Sequence, residues 1–366
     1  MEIYSKLIMD NLDQIMSITP YFIAFFATII SILVYRPLAD RFGLVDIPSE
    51  RKQHQGRIPL IGGLSMFIGI SLGLFNSNII STETSLIFFF IGSLVLVLVG
   101  LIDDYRGITS SKRIIVQILV AFMVVKYGGV LLFDLGSLIT IEHLHLGIFS
   151  IVFSVFAIVG VINSLNFSDG IDGLSASLSL VTFFSVAFFA YMAKQNYAFA
   201  LMFLFIASIV AFLIFNIGLG KDSKFKIFMG DAGSTFLGLG VAWSLVSFSQ
   251  GDNIIFSPVI ALWIFAVPLM DTLFVMINRV THGRSPFSPD RKHLHHFFIN
   301  SGRTDRGALV IIVTFSILMA FIGIIMELNE VSERVMFSLF LITSLIYYFV
   351  LRYGWKLIYS KNIHTD

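Results

Sequence analysis

Residues 85–102 read SLIFFFIGSLVLVLVGLI, a stretch without any charge, and the next two residues are Asp103 and Asp104. A helix needs about 20 mostly apolar residues to cross the hydrocarbon core of a bilayer. The stretch therefore predicts a membrane-spanning helix with a pair of acids at its end. Adjacent carboxylates at a membrane interface are costly unless they are solvated, paired or bound to a cation.

The rest of the chain has the same apolar character. Of its 366 residues 57% are hydrophobic and 13% are charged, whereas a soluble domain carries about 25% charged residues. The chain contains no cysteine, which excludes disulfides and thiolate metal sites. Its pattern predicts an all-α polytopic membrane protein, a single domain over residues 1–366. The eleven predicted spans are 18–36, 60–78, 85–102, 113–132, 148–165, 174–193, 197–215, 233–249, 254–279, 308–326 and 334–352.

The distribution of basic residues predicts the orientation. With eleven spans, 20 of the 24 Lys and Arg residues fall in or beside alternate loops and the C-terminal tail, and 4 fall on the other side. Basic residues accumulate in cytoplasmic loops, so we expect a periplasmic N-terminus and a cytoplasmic C-terminus. On the periplasmic side, apolar residues alternate with others in 133–146, which predicts a small hairpin.

The first inner loop, residues 43–63, is basic and rich in glycine. It contains Arg51 and His54 before the pair Gly62–Gly63. Basic side chains near glycines suit an anion such as a phosphate. The alternative is a cluster that anchors the chain to lipid headgroups.

Asp103 and Asp104 open the second inner loop. Two such acids either bind Mg²⁺, or one of them acts as a base with a raised pKa. The alternative is a solvated pair at a helix end. Lys112 follows nine residues after Asp103 and is a candidate to neutralise a phosphate or the acids.

The third inner loop, NSLNFSDGIDGLSAS at 163–177, has no basic residue. Asn163, Asn166, Asp169 and Asp172 recur every three residues, a spacing that places side chains on one face of a helix. An acidic patch on an otherwise basic face indicates a bound cation, and oxygen ligands suit Mg²⁺ or Mn²⁺ rather than zinc. The alternative is polar capping of helix ends.

The fourth inner loop, KFKIFMGDAGSTFLG at 224–238, places Asp231 between two glycines at the start of a predicted helix. Backbone N–H groups at a helix N-terminus bind anions, and the alternative is that Asp231 caps the helix. The segment lacks the Gly-Lys-Ser/Thr end of a Walker A loop.

The fifth inner loop contains SPFSPDRKHLHHFF at 285–298. Its basic, histidine-rich composition suits a diphosphate, and histidine is also an acid or base near neutral pH. Without cysteine or an HExxH motif, zinc is not favoured. Asp271, inside the preceding predicted span, is a functional candidate to which the sequence assigns no role. The alternative is that it is paired within the helix bundle.

One face of the predicted bundle therefore combines oxygen ligands for a divalent cation with several anion-binding groups, beside a membrane that supplies lipids. That combination favours phosphoryl transfer from a charged soluble donor to a lipid acceptor, a reaction catalysed mainly by positioning and charge neutralisation. A transporter is the competing class, but transporters place their polar sites near the membrane midplane.

In their order and their length, the motifs from GLVDIPSERKQHQGRIPLIGG to HLHH resemble those of the polyprenyl-phosphate N-acetylhexosamine phosphate transferases. SPVIALWIFAVPLMD at 257–271, followed by SPFSPDRKHLHH, is similar to the bacterial branch that starts O-antigen and enterobacterial common antigen synthesis. The resemblance implies transfer of GlcNAc 1-phosphate from UDP-GlcNAc to undecaprenyl phosphate, with release of UMP and a need for Mg²⁺ or Mn²⁺. A sister enzyme for UDP-GalNAc, UDP-FucNAc or UDP-QuiNAc would share the fold and the acids.

The resemblance also implies roles for residues at matching positions. Asp103 and Asp104 match the essential acids, one of which deprotonates the lipid phosphate. Asp231 matches a metal ligand, joined by Asn166. Asp172 and Phe228 match positions that hold and stack on the uracil. The remaining expected substrate-binding residues are Arg51, His54, Lys112, Asn163, Asp169 and Arg291, and the expected catalytic histidines are His293, His295 and His296.

The resemblance places the protein in the bacterial inner membrane with its active site facing the cytoplasm. Its expected partners are UDP-GlcNAc, undecaprenyl phosphate and the lipid bilayer, with no nucleic acid and with a second copy of the chain as the candidate protein partner. The segments SAS at 175–177 and LGKDSKF at 219–225 depart from the family pattern, and both bear on the choice of sugar.

Overall fold

The computed structural model describes residues 18–48, 56–77, 83–139, 143–218, 225–251, 254–285 and 292–363, without the side chains of 359 and 361–363. These residues are chiefly helical. The helices are α1 Thr19–Phe42, α2 Gly62–Asn76, α3 Thr84–Arg106, α4 Ser110–Lys126, α5 Ser150–Ser168, α6 Leu174–Met192, α7 Asn196–Asn216, α8 Gly230–Ser247, α9 Pro258–Ile264, α10 Ala266–Thr281, α11 Leu294–Asn300, α12 Asp305–Leu328 and α13 Glu333–Ile363.

The chain is an all-α polytopic membrane protein. Each of the eleven predicted spans contains a helix. By length and apolar composition, seven helices in the described ranges are able to cross a membrane, or eight if the bent pair α9–α10 counts as one span. The other three predicted spans correspond to α2, α4 and α8, which are shorter or less apolar.

The predicted span 254–279 is not one continuous helix. The structure divides this segment at Phe265, and the axes of α9 and α10 differ by 79°. Pro268 lies in the first turn of α10. Proline has no N–H to donate to the carbonyl of Ile264, and its ring collides with that carbonyl in a continuous helix. The chain therefore bends at this point.

Helix α8 is the centre of the bundle. Every residue from Ala232 to Val246 is buried, and the helix packs against α2, α3, α5 and α6. Its sequence, GDAGSTFLGLGVAWSLVS, is rich in small residues, which let helix backbones approach closely in membranes. Because α8 is buried among its neighbours, its small and polar residues do not face lipid.

Glycines on the neighbouring helices make room for the N-terminal turn of α8. A Cβ atom on Gly63 of α2 would collide with the backbone of Gly233, and one on Gly100 of α3 would collide with the backbone of Ala232. Gly63 and Gly100 therefore allow α2 and α3 to pack closely against α8.

A short strand pair brings two loops of the sequence together. Strands β1 (Val45–Asp46) and β2 (Ile58–Pro59) are antiparallel, and Leu60 forms a parallel bridge with Phe228. The amide of Gly62 donates to the carbonyl of Phe228 at 3.0 Å, and that of Gly63 donates to the carbonyl of Met229 at 3.0 Å. The first and fourth inner loops therefore meet beside the N-terminus of α8.

The opposite end of the bundle carries the predicted hairpin. Asp134 and His145 form an antiparallel bridge, and the amide of Leu135 donates to the carbonyl of Leu144 at 3.0 Å. The side chain of Gln250, just beyond α8, accepts from the amides of Phe133 and Asp134 at 3.2 and 3.1 Å. The hairpin is thus attached to the C-terminal end of the central helix.

Replacing Gly100 by alanine tests the packing of α3 on α8. Because the added methyl meets backbone rather than a flexible side chain, we expect a loss of about 1–3 kcal/mol, the usual cost of overpacking. The measurement is the thermal unfolding midpoint of the purified protein in detergent.

Gly160→Ala in α5 is the matched control, because a Cβ atom there would meet nothing within 4 Å. Equal midpoints for Gly100→Ala and Gly160→Ala would contradict the close packing of α3 on α8.

Candidate active site

The two acids at the end of α3 hold different partners. Asp103 is buried; its Oδ1 accepts from the amide of Ile108 at 2.5 Å and its Oδ2 accepts from Arg113 at 2.9 Å. Asp104 instead accepts from the amides of Asp231 and Ala232, at 2.9 and 3.5 Å. One acid therefore belongs to an ion pair, and the other caps the N-terminus of α8, where unpaired N–H groups favour a negative charge.

Arg113 is the cation that joins the acids. Its Nη1 lies 2.9 Å from Asp103 Oδ2 and 2.9 Å from Asp231 Oδ2. The sequence favours the preceding residue, Lys112, as a candidate for this role. Lys112 is exposed, because neighbouring residues of a helix point in different directions. One feature of the sequence indicates that Arg113 faces the interior. Gln117, one turn after Arg113, is a polar residue in an apolar helix, and it is buried in the structure.

Two asparagines of α5 face the same cluster at different depths. Asn166 donates to Asp231 Oδ1 at 2.6 Å and to the hydroxyl of Ser234 at 2.8 Å. Asn163, one turn deeper, donates to Gln117 Oε1 at 2.7 Å. The structure thus brings together Asp231 and Asn166, the two predicted metal ligands, and places Asn163 beneath them.

The predicted helical stripe of four polar residues ends sooner than expected. Helix α5 stops at Ser168, and Asp169 has the non-helical torsion angles φ −81° and ψ 42°, so only Asn163 and Asn166 share a helix. Asp169 nevertheless joins the cluster: burial, together with the charges of Asp231 and Asp172, raises the pKa of its carboxyl to about 8. These acids therefore disfavour one another's ionisation unless a cation is near.

Asp172 forms a pair with Lys226 beside Phe228. Lys226 Nζ lies 2.5 Å from Asp172 Oδ2 and 5.3 Å from the centre of the Phe228 ring. The two residues expected at the uracil are therefore linked through Lys226, which is not among the substrate-binding residues predicted from the sequence. This group adjoins the bridge between Leu60 and Phe228.

The fifth inner loop carries His293, His295 and His296 and is called the histidine loop below; it reaches the end of α5. The ring of His293 lies 5.5 Å from that of Phe167, next to Asn166, and 5.9 Å from that of His295. The ring of His295 is buried against Gly170, where a Cβ atom would collide with Nε2. Burial, together with the neighbouring His296, lowers the pKa of His295 to about 3, so His295 is neutral near pH 7.

The donor chemistry of the cluster suits a divalent cation. Carboxylate and amide oxygens are the ligands that Mg²⁺ and Mn²⁺ prefer. In the structure the positive charge between Asp103 and Asp231 is supplied by Arg113. Within the described ranges no three His, Asp or Glu residues converge closely enough to hold a metal, so a cation would use one or two acids together with Asn166 and ligands from substrate. Arg51, His54 and Arg291 lie outside the described residues.

Arg113→Gln tests whether this arginine balances the acids. Removing it leaves Asp103 and Asp231 without their shared counter-charge, which costs about 1–3 kcal/mol. We expect a lower thermal midpoint in metal-free buffer and a larger recovery on adding MgCl₂ than the wild type shows.

Lys126→Gln removes the same charge at the other end of α4 and should leave the response to MgCl₂ unchanged. If Arg113→Gln and Lys126→Gln respond alike, Arg113 does not serve the acids.

Comparison with known proteins gives a consistent result. The family model described as Glycosyl transferase family 4 matches residues 86–249, a range that includes Asp103, Asp104, Arg113, Asn166 and Asp231. The histidine loop lies beyond the match.

Three relatives share the name undecaprenyl-phosphate alpha-N-acetylglucosaminyl 1-phosphate transferase. The protein from Yersinia pestis is 39% identical over 326 residues, which cover 89% of this chain and 88% of the relative. That from Escherichia coli (strain K12) is 38% identical over 91% of this chain and 90% of the relative. That from Haemophilus influenzae is 37% identical over 92% and 94%. With this identity over almost its whole length, the chain belongs to glycosyl transferase family 4, together with these transferases.

Proposed function

We propose that the protein transfers N-acetylglucosamine 1-phosphate from UDP-GlcNAc to undecaprenyl phosphate and releases UMP. The observation that carries the proposal is the 37–39% identity to transferases of that name over about nine-tenths of the chain. The site supports it: clustered acids lie beside basic and histidine side chains at one end of a membrane bundle, which is what a diphosphate donor and a lipid phosphate require.

The proposed product is the first lipid-linked intermediate of O-antigen or enterobacterial common antigen synthesis. The proposed setting is the bacterial inner membrane, with eleven crossings in one domain over residues 1–366. The asymmetry of 20 against 4 basic residues supports a periplasmic N-terminus, a cytoplasmic C-terminus and an active site on the cytoplasmic side.

The proposed cofactor is Mg²⁺ or Mn²⁺, held by Asp231 and by the amide oxygen of Asn166. Asn166 already lies 2.6 Å from Asp231, and reversal of its amide would turn the oxygen toward the same point. When bound, the cation neutralises charge on the diphosphate.

Asp103 is the acid that we assign to the lipid phosphate. Asp104 is committed to two backbone amides of α8, whereas Asp103 shares its Oδ2 with the side chain of Arg113. An anionic phosphate attracts Arg113 and so frees that oxygen of Asp103 to accept the phosphate proton. The deprotonated phosphate oxygen then attacks the phosphorus that bears the sugar, and UMP leaves.

The remaining residues are assigned to substrate. Phe228 offers a ring for the uracil, and Asp172, at present paired with Lys226, lies beside it. The histidine loop is proposed to contact the sugar and the diphosphate. The residues in these last roles are Arg291, His293, His295 and His296 for the sugar diphosphate, with Arg51, His54, Lys112, Asn163 and Asp169 as supporting contacts.

The test of the function is release of UMP by the purified full-length protein in nanodiscs with UDP-GlcNAc, undecaprenyl phosphate and MgCl₂. UMP and a lipid-linked product that contains N-acetylglucosamine are expected. A panel with UDP-GalNAc, UDP-FucNAc and UDP-QuiNAc tests the sugar. No UMP from any donor would refute the transferase, and faster release from another donor would reassign the sugar.

Asp231→Ala should lower turnover by at least about 100-fold, in the range by which loss of a main electrostatic contact slows enzymes. The reason is that the change removes both the proposed metal ligand and a partner of Arg113. The assay is UMP release at saturating MgCl₂.

Asp305→Ala is the matched control, since Asp305 also lies in the first turn of a helix but is exposed. Turnover of Asp231→Ala within tenfold of the wild type would count against its role as a metal ligand.

Gly170→Ala tests the seat of the histidine loop. The added methyl would displace the ring of His295, so we expect at least about a tenfold loss of kcat/KM for UDP-GlcNAc, because misplacement by about 1 Å is costly in a catalytic site. Gly160→Ala, with open space around it, should retain wild-type values; similar losses in both variants would remove His295 from the site.

A further inference from the structure

Asp271 is a buried acid of α10 that three donors approach from two parts of the chain. His293 Nδ1 lies 2.9 Å from its Oδ2, and the amide of Leu294 donates to its Oδ1 at 2.8 Å. The hydroxyl of Tyr347, on α13, donates to Oδ1 at 3.2 Å. Asp271, His293 and Tyr347 are all largely shielded from solvent. The carboxylate therefore has specific partners in place of water.

The contact to His293 fixes a proton. A carboxylate only accepts hydrogen bonds, so the imidazole has to donate from Nδ1. In the neutral ring that leaves Nε2 as the unprotonated nitrogen, free to accept a proton or a hydrogen bond. The Leu294 amide fixes the carboxylate itself, because a backbone N–H cannot reverse its role.

The ring of His293 is also fixed in direction. One face packs on Phe167, which follows Asn166 in α5, and the ring is nearly parallel to that of His295, with an angle of 4° between the planes. Arg279, two turns beyond Asp271 in α10, lies 5.6 Å from the same Phe167 ring. With Nδ1 turned toward Asp271, Nε2 is on the opposite edge of the imidazole. Among the described residues, none forms a hydrogen bond with it.

We propose that Asp271 is a positioning residue that holds His293 in the Nδ1–H tautomer and thereby presents Nε2, as a hydrogen-bond acceptor, to a hydroxyl or amide N–H group of the nucleotide sugar. The inference rests on the proposed transferase function, because the ligand of Nε2 is the donor substrate of that reaction. It gives a role to an acid within a membrane helix, where an ionisable residue is expensive unless it has a function.

A purely structural role has to be distinguished, because Asp271 also accepts from the first amide of α11. Asparagine separates the two roles. In Asp271→Asn the amide oxygen still accepts from Leu294, while the amide nitrogen faces Nδ1 and donates to it, so His293 has to carry its proton on Nε2. Helix capping is retained and the tautomer is reversed. Tyr347→Phe is the matched control, since it removes one hydrogen bond to Asp271 and leaves the contact to His293.

The experiment joins ¹⁵N NMR of histidine-labelled protein in nanodiscs, without substrate, to the UMP-release assay. Comparison with His293→Gln assigns the His293 signals. The wild type and Tyr347→Phe should show a protonated Nδ1, and Asp271→Asn a protonated Nε2. Asp271→Asn should lose at least about 100-fold in kcat, since a reversed histidine tautomer costs up to about 10⁴-fold in catalytic triads, while Tyr347→Phe should stay within about threefold.

A wild-type His293 that carries its proton on Nε2 alone would overturn the inference, and this measurement needs no variant to fold. An Asp271→Asn protein with reversed tautomer and unchanged kcat would overturn the catalytic part. If the proposed transferase function is wrong, the outcome is different: the wild type releases no UMP, although the NMR spectra still show a protonated Nδ1 on His293.

Discussion

The N-terminus of α8 is buried at one end of the bundle, and the rest of the site depends on how that terminus is satisfied. The first amides of any helix lack partners within the helix, and they cannot remain unpaired in a buried position without a cost of several kcal/mol. Asp104 supplies the acceptor. Gly230 has φ +72°, and a side chain there would collide with Asp104, so only glycine allows this contact.

This arrangement determines where the other acids lie. Because Asp104 is held by α8, its neighbour Asp103 turns toward α4, and Asp231 enters from the first turn of α8 itself. Arg113 then joins Asp103 and Asp231 with a single guanidinium. The clustering of negative charge is therefore a consequence of helix packing, and the arginine makes it tolerable.

The sequence was most informative for features that depend on residues close together in the chain. Apolar length located a helix in each of eleven segments, and short polar motifs located the acids, amides and histidines that the structure gathers at one end. The sequence was least informative where the result depends on the direction in which a helical side chain points. The predicted span began at residue 113 and left Lys112 in a loop, but α4 begins at Ser110. The earlier start directs Arg113 and Gln117 inward and Lys112 outward. The break before Pro268 and the end of α5 at Ser168 likewise depend on tertiary packing, and Asp271 received a role only when its distant partner His293 was in place.

The glycine contacts around α8 also limit how this enzyme can diversify. Where the backbones of α2 and α3 touch that of α8, no substitution adds atoms without separating the helices, so the spacing of the acids cannot be adjusted by gradual repacking. Variation in the sugar accepted has to arise elsewhere, in connecting segments whose side chains enter the site from its rim. The histidine loop, outside the range matched by the family model, is where we expect related enzymes to differ in donor preference.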